Sequence, residues 1–306
     1  MIAFGSVMTQ PELYERFAGP GIRRAAEGDS RVYPQGAPHA AVPIYNWVLD
    51  QAAGHDDLEA LVLVDQEAEI LDGDLCRTLR DSFSDPEVAI VGCAGARNPH
   101  SMAWWESEEV FASSRYRCAE LDGEYMAPLL SDGWSSEPRG PEQLPAEVDT
   151  VDGMLMALSP WAVRNLRFDE SLGPRHGYDF DLCRQARAAG RKLLVADLAV
   201  AQARPLGVVK DPEVWIEAHM RVAEKWDADV VDWRSRARRA EGKAAAARLL
   251  SASKMYEVQA LAWAQERELR AATSSVSWRV TAPLRQVARA ARAARARRGA
   301  RAALNR

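Results

Sequence analysis

Carboxylates gather at three places in this chain where the backbone must turn: Asp65-Gln66-Glu67, Asp149 to Gly153, and Asp179-Phe180-Asp181. Such groups can take a proton from a hydroxyl or accept hydrogen bonds from a polar ligand, so their placement suggests an active site. Asp179 and Asp181 stand two residues apart. On a helix they point to nearly opposite sides and cannot both face one ligand, which leaves one for chemistry and the other for capping. Asp65 follows the apolar run Ala60-Leu61-Val62-Leu63-Val64, as expected of a parallel strand buried on both faces. Ligands of open α/β sheets gather at the carboxyl ends of such strands. The plainer readings are that Asp65 and Glu67 favour a coming helix N-terminus and that Asp179 is an N-cap.

The elements that must position these groups follow from periodicity. Strands are predicted at Ile2–Met8, around Val32, at Ala60–Val64, Val88–Gly92 and Met154–Leu158, and over Lys192–Val200. Helices are predicted over Pro11–Glu27, Ile44–Ala53, Asp74–Phe83, and from Ser159-Pro160 to about Leu166. A further helix starts near Asp179 and stops at Gly190, which tolerates the left-handed conformation beyond a helix end. Strands and helices alternate, the pattern of an α/β domain with a mainly parallel sheet.

Val151-Asp152-Gly153, Phe168-Asp169-Glu170, Gly177-Tyr178-Asp179-Phe180-Asp181-Leu182-Cys183 and Ala189-Gly190 carry a resemblance in their order and spacing. The chain resembles the family 2-like glycosyltransferases of the GT-A fold, in a bacterial branch related to a streptomycin-biosynthesis glycosyltransferase-like domain. The resemblance implies a mixed, mainly parallel sheet flanked by helices. It also implies transfer of a hexose-like sugar from a nucleotide diphosphate donor to an acceptor hydroxyl, with inversion. Asp65-Gln66-Glu67 matches the family's Asp-x-Asp position, which implies that Asp65 and Glu67 hold a divalent metal (Mn or Mg) against the diphosphate. Asp179 matches the general base that takes the acceptor proton, and Asp181 a structural partner. Asn46, preceded by Tyr45, matches an Asn near the nucleotide. Asp152 and Gly153 are expected to shape the sugar or acceptor pocket, Gly153 by letting the backbone approach closely. His176, beside Gly177, is a candidate contact to the acceptor or a phosphate.

The chain departs from the family in two places: many relatives carry an Arg at the position of Gln185, and many a His, as a further metal ligand, near Gln202, whereas Ala196 to Gly207 has no His. The missing His favours a second reading, a catalytically impaired GT-A-like binding or scaffold protein in glycan assembly. Trp104-Trp105 is either a sugar-stacking platform or core packing. Cys76, Cys93, Cys118 and Cys183 lack any Cys-x-x-Cys spacing and are expected to be free thiols in a reducing compartment.

The net charge of −5 gives no general case for nucleic-acid binding, yet its distribution is uneven. Thr273 to Arg306 carries nine Arg and no acidic residue. We expect a GT-A glycosyltransferase-like domain over 1–227, ending near Trp226–Trp233, and a helical, Ala/Arg-rich extension over 228–306. Before that boundary Pro212–Lys225 is predicted as a helix buried through Val214, Ala218 and Val222; after it Ala237–Ala272 lacks breakers. The extension is a candidate oligomerisation arm, and its basic end a candidate peripheral contact with an anionic membrane. No run reaches the roughly 18 apolar residues of a membrane span, and no leader pattern opens the chain. The expected place is the cytoplasm, at most peripheral to the inner membrane face. The expected acceptor is a glycan, a lipid-linked molecule or a small molecule, in polysaccharide biosynthesis.

Overall fold

The structure is a computed structural model that describes residues 1–37, 41–99, 101–117, 125–126, 141–173, 175–202, 211–226 and 232–274. In chain order its strands are β1 (Ile2–Met8), β2 (Arg31–Gly36), β3 (Ala60–Val64), β4 (Ala68–Ile70), β5 (Val88–Gly92), β6 (Ala94–Arg97) and β7 (Glu109–Ala112). There follow β8 (Arg115–Arg117), β9 (Tyr125–Met126), β10 (Ala146–Val148), β11 (Thr150–Val151), β12 (Leu155–Leu158), β13 (Lys192–Val195) and β14 (Val200–Gln202). The helices are α1 (Pro11–Arg16), α2 (Ala18–Ala25), α3 (Val42–Ala53), α4 (Leu75–Ser82), α5 (Pro160–Asn165), α6 (Tyr178–Ala188), α7 (Pro212–Trp226) and α8 (Asp232–Ser274).

Seven strands form the main sheet in the order β10-β13-β5-β12-β3-β1-β2. β2, β1, β3, β5 and β13 run one way, whereas β12 pairs antiparallel with both β3 and β5, and β10 antiparallel with β13. Apolar side chains alternate between the faces. Val62 and Val64 join Ile2, Phe4 and Ile22 of α2 in one core, while Leu61 and Leu63 join Val48 and Leu49 of α3 in the other. Both faces are thus buried, which explains why β3 and β5 are continuous apolar runs and β1 is apolar but for the buried Ser6.

The expected helix Pro11–Glu27 is broken at Phe17, whose backbone (φ −121°, ψ −74°) leaves the helical region, giving α1 and α2. The expected strand Lys192–Val200 is also two elements. β13 stays in the main sheet, and beyond Ala199 (φ 46°) the chain enters β14, which pairs with β4 in a separate four-stranded sheet. That left-handed residue turns the strand out of the first sheet. Helix α6 starts at Tyr178 rather than Asp179, with Gly177 as N-cap at φ 83°. A Cβ at Gly177 would lie 2.9 Å from Val222 Cγ2, so both backbone and space require glycine.

Helix α7 packs through Trp215, Ala218, His219 and Val222, with Val214 only half-buried. Its end is tied to α6 by Asp181, a fully buried carboxylate. Asp181 accepts from Trp226 Nε1 at 2.7 Å, from Gln185 Nε2 at 2.7 Å, and pairs with Lys225 Nζ at 2.8 Å. Lys225 also reaches Asp169 Oδ2 at 2.7 Å, and this bond leads the effects that hold Asp169 down at about 2.

The chain divides into two compact units, Met1–Tyr256 and Glu257–Arg306. Residues 232–256 of α8 fall in the first, where Ala245 and Leu249 are buried and Arg248 pairs with Glu106 at 2.6 Å. The second unit, described to Ser274, is helical and carries the Arg270–Glu266 pair one turn apart. Cys118, residues 227–231, and the basic end beyond Ser274 lie outside the described residues. Cys76, Cys93 and Cys183 are free and buried. Among the described residues no helix is long and apolar enough to cross a membrane.

Removing the cation beside Asp181 leaves a buried charge short of a partner. Lys225→Met is expected to lower unfolding free energy in urea by about 2–3 kcal/mol, less than for a lone buried pair because Gln185 and Trp226 still donate. Lys225→Met with Asp181→Asn should recover part of it; equal loss in the single and double variants would contradict this role.

Candidate active site

β3 ends at Val64, and the next residue, Asp65, donates its backbone N–H to Met154 O at 2.9 Å. That bond continues the β3–β12 ladder, where Leu155 pairs with Val64. The end of β3 therefore lies beside the start of β12, which Asp152 and Gly153 precede. Asp152 is held in turn by its N–H to Ala94 O at 2.9 Å and by Oδ1 accepting from Met154 N–H at 2.8 Å.

Asp179 closes the arrangement from α6. Its Oδ2 accepts from Gly153 N–H at 2.9 Å and its Oδ1 from Phe180 N–H at 2.9 Å, so one carboxylate stitches the helix start to the β12 entry. It occupies the second helical position and is not the N-cap. Gly153 has no room for a side chain. A Cβ on it would lie 2.8 Å from Tyr178 Oη and 3.1 Å from Asp179 Oδ2, so the space is filled by the protein's own side chains.

Asp65, Asp152 and Asp179 are each half-buried, at a site where desolvation and like charges act together. Burial first, then the Asp179 and Asp65 charges, push Asp152 up to about 7, against donation from Met154 N–H and the Trp104 indole. Burial raises Asp179 too, opposed by the N–H groups of Phe180 and Gly153. Tyr45 of α3 and Tyr178 hydrogen-bond to each other, with ring centroids 5.3 Å apart. Burial, reinforced by the charges of Asp65 and Asp179, lifts both phenols above their ordinary range. Both hydroxyls therefore keep their protons as donors beside the carboxylates.

The other predicted residues lie around this cluster. Asn46 is used by the protein: Oδ1 accepts from Phe168 N–H at 2.9 Å, while Nδ2 donates to Phe168 O at 2.9 Å and to Glu170 Oε1 at 3.1 Å. It fixes the Phe168–Glu170 turn against α3. Asp149 pairs with Arg187 at 3.1 Å and accepts from Asn98 N–H at 2.8 Å. His176 is half-buried in the loop before Gly177. Trp104 and Trp105 are core residues, 2% and 6% exposed, and not an open stacking platform. Gln202 ends β14 opposite Ala68, the residue that follows Glu67.

Whether a divalent metal suits these residues turns on the donor set. Glu67 N–H donates to Asp65 Oδ1 at 2.8 Å, while the Glu67 side chain is withdrawn, the residue being 4% exposed. Among the described residues no three His, Cys, Asp or Glu side chains enclose a metal position. A Mg-type ion needs no such cage, because it is commonly held through one or two carboxylates while substrate phosphates and water complete its shell. The half-exposed carboxylate of Asp65 fits that mode.

A family model described as "Glycosyltransferase like family" matches residues 43–231, more than half of the chain and the whole of this cluster. The chain belongs to this family. The expectation of a mixed, mainly parallel α/β sheet flanked by helices is borne out. The streptomycin biosynthesis protein StrF of Streptomyces griseus is 28% identical over 201 residues, which are 65% of this chain and 64% of StrF. The match thus spans less than two thirds of that protein's length. Among solved structures, the mannosyltransferase PcManGT from Pyrobaculum calidifontis, in complex with GDP-Man and Mn2+, is similar at 15% identity and a TM-score of 0.45. That match covers 91% of this chain and 82% of PcManGT. GalNAc-T7 with UDP, GalNAc and Mn2+ is similar at 11% identity and a TM-score of 0.45, over 74% of this chain and 48% of that one. Likenesses this distant bear on neither activity nor ligand.

Reasoning from sequence missed Tyr45 and Tyr178 as partners of the carboxylates and the Trp104 bond to Asp152. Both tyrosines adjoin residues that were selected, Asn46 and Asp179, and that adjacency was the available signal.

Two outcomes are expected. Gly153→Ala should lower thermal stability by about 1–3 kcal/mol, the ordinary cost of overpacking, since Tyr178 and Asp179 must both shift; an unchanged melting temperature would show the contact to be slack. For Asp152, the folded state holds a proton that the unfolded chain releases near pH 4. Stability should fall as pH rises from there to about 7. Asp152→Asn should remove roughly 1–2 kcal/mol of that fall, as read by urea titrations across the window.

Proposed function

We propose that this protein transfers a sugar from a nucleotide diphosphate donor to an acceptor hydroxyl with inversion, by direct displacement. The observation that carries the reading is the convergence of Asp65, Asp152 and Asp179, from three separate elements, at the carboxyl end of β3. In the displacement the acceptor oxygen forms its bond to the anomeric carbon while the bond from that carbon to the diphosphate oxygen breaks. The diphosphate leaves with the electron pair, and the acceptor proton goes to a base on the opposite side.

Asp179 is assigned as that base. Burial lifts its proton affinity above that of an ordinary carboxylate, which makes it a better proton acceptor. A carboxylate offers about four acceptor directions, so the two backbone bonds leave room for an acceptor hydroxyl. Asp152, which the Trp104 indole supports, is assigned to hydroxyl groups of the sugar or acceptor, with Gly153 letting Tyr178 and Asp179 approach the backbone beside it and His176 in the adjoining loop. Asp65 and Glu67 are assigned to a divalent ion (Mn or Mg), with the half-buried Asp65 the more accessible of the two; when bound, such an ion would neutralise charge on the departing diphosphate. Asn46 supports the donor side indirectly, through the Phe168 turn. The domain of 1–227 is proposed to hold this chemistry, and the extension of 228–306 to meet partner copies or, through its basic end, an anionic membrane in the cytoplasm.

Calorimetry with a panel of nucleoside diphosphates, with and without manganese, tests binding, and donor turnover tests the base. Asp179→Asn is expected to reduce turnover by at least about 10²-fold with donor affinity nearly intact. Full turnover in a folded Asp179→Asn protein would remove it as the base.

A further inference from the structure

The second residue of the Asp-x-Glu run has an unexpected set of bonds. Gln66 Oε1 accepts from the backbone N–H groups of Thr9 and Gln10, both at 2.9 Å, and Nε2 donates to Thr9 Oγ1 at 2.9 Å. The amide orientation is fixed by its partners, because two N–H groups demand the oxygen. Thr9 and Gln10 are exposed and lead from β1 into α1, so this side chain joins two loops and does not fill a core.

Topology gives the bridge its place. β1 pairs with β2 on one side and β3 on the other, all three parallel, so the chain leaves β1 toward one neighbour and returns from β2 to the other. The crevice outside the carboxyl ends of β1 and β3 is therefore a topological switch point, where open α/β sheets take ligands. Gln66 spans that crevice. The same turn is held on its other sides by Asp65 N–H on Met154 O and by Glu67 N–H on Asp65 Oδ1.

We infer that Gln66 is a positioning residue that fixes the β1 loop against the β3 turn and so presets the crevice that receives the donor. This rests on the transferase reading above. Gln66 touches no reacting atom in this account. It spares the donor the cost of ordering two loops on binding, so its loss should weaken donor affinity and leave the chemical step alone.

The test uses the full chain, with UDP and GDP in the presence of manganese as probes. Gln66→Ala is expected to weaken the tighter nucleotide about tenfold, and Thr9→Ala, which removes one of three bonds, about two- to threefold. Thr9→Ser, which keeps the hydroxyl, should bind as the wild type does. With a donor that turns over, KM should rise by the same factor at unchanged kcat. Amide exchange over residues 9–13 should quicken in Gln66→Ala without ligand. Wild-type affinity in Gln66→Ala, or unchanged exchange there, overturns the role of Gln66 alone. Failure of the wild-type protein to bind any nucleoside diphosphate overturns the transferase reading itself, and the role of Gln66 with it.

Discussion

One carboxylate joins the two halves of the site. Asp179 accepts one N–H from the helix that carries it and one from Gly153, at the mouth of an antiparallel strand wedged between two parallel ones. The bond pair requires three conditions at once: a glycine at 153, a left-handed glycine at 177 to aim the helix, and an anchored first turn of α6. The last is supplied by Asp181, on the opposite side of the same turn. Two aspartates two residues apart thus divide the work by helical geometry, one buried against Lys225 and Trp226, the other turned to Gly153 at the entry of β12.

The carboxylate cluster concentrates negative charge where burial already disfavours it. Asp152 and Asp179 are both raised, and the two buried phenols beside them are held in their protonated form. A fold under selection for stability alone would not place three carboxylates there, because each desolvated like charge costs free energy. The arrangement makes physical sense if a ligand with positive or polarised groups completes it. A proton-bearing hydroxyl at one end and a cation-bearing diphosphate at the other would do so.

How much of this was legible in the chain depended on the range of the interactions. β1, β3 and β5 match the expected residues to the position, since a strand buried on both faces leaves a continuous apolar run. Asp65 could be placed at a strand end for the same reason. The short strands of the two smaller sheets escaped notice because three or four residues carry too little periodicity. The break at Phe17 and the exit at Ala199 are single-residue backbone choices with no signature in composition. At the site, Asp181 as a structural partner agrees with helical geometry alone. Asn46 is legible only through the family resemblance, and the bonds of its amide to the Phe168 turn are not. Gln66 and the tyrosine pair depend on contacts across 56 and more residues, which no local pattern encodes.

The central claim is that the three carboxylates form one donor-and-acceptor site at the end of β3. A crystal structure of the protein with UDP or GDP and manganese would test it most directly. The account predicts the diphosphate and its ion against Asp65, between the ends of β1 and β3, with Asp152 and Asp179 facing the space beyond the terminal phosphate. A nucleotide bound elsewhere on the chain, or an ion held without Asp65, would contradict it.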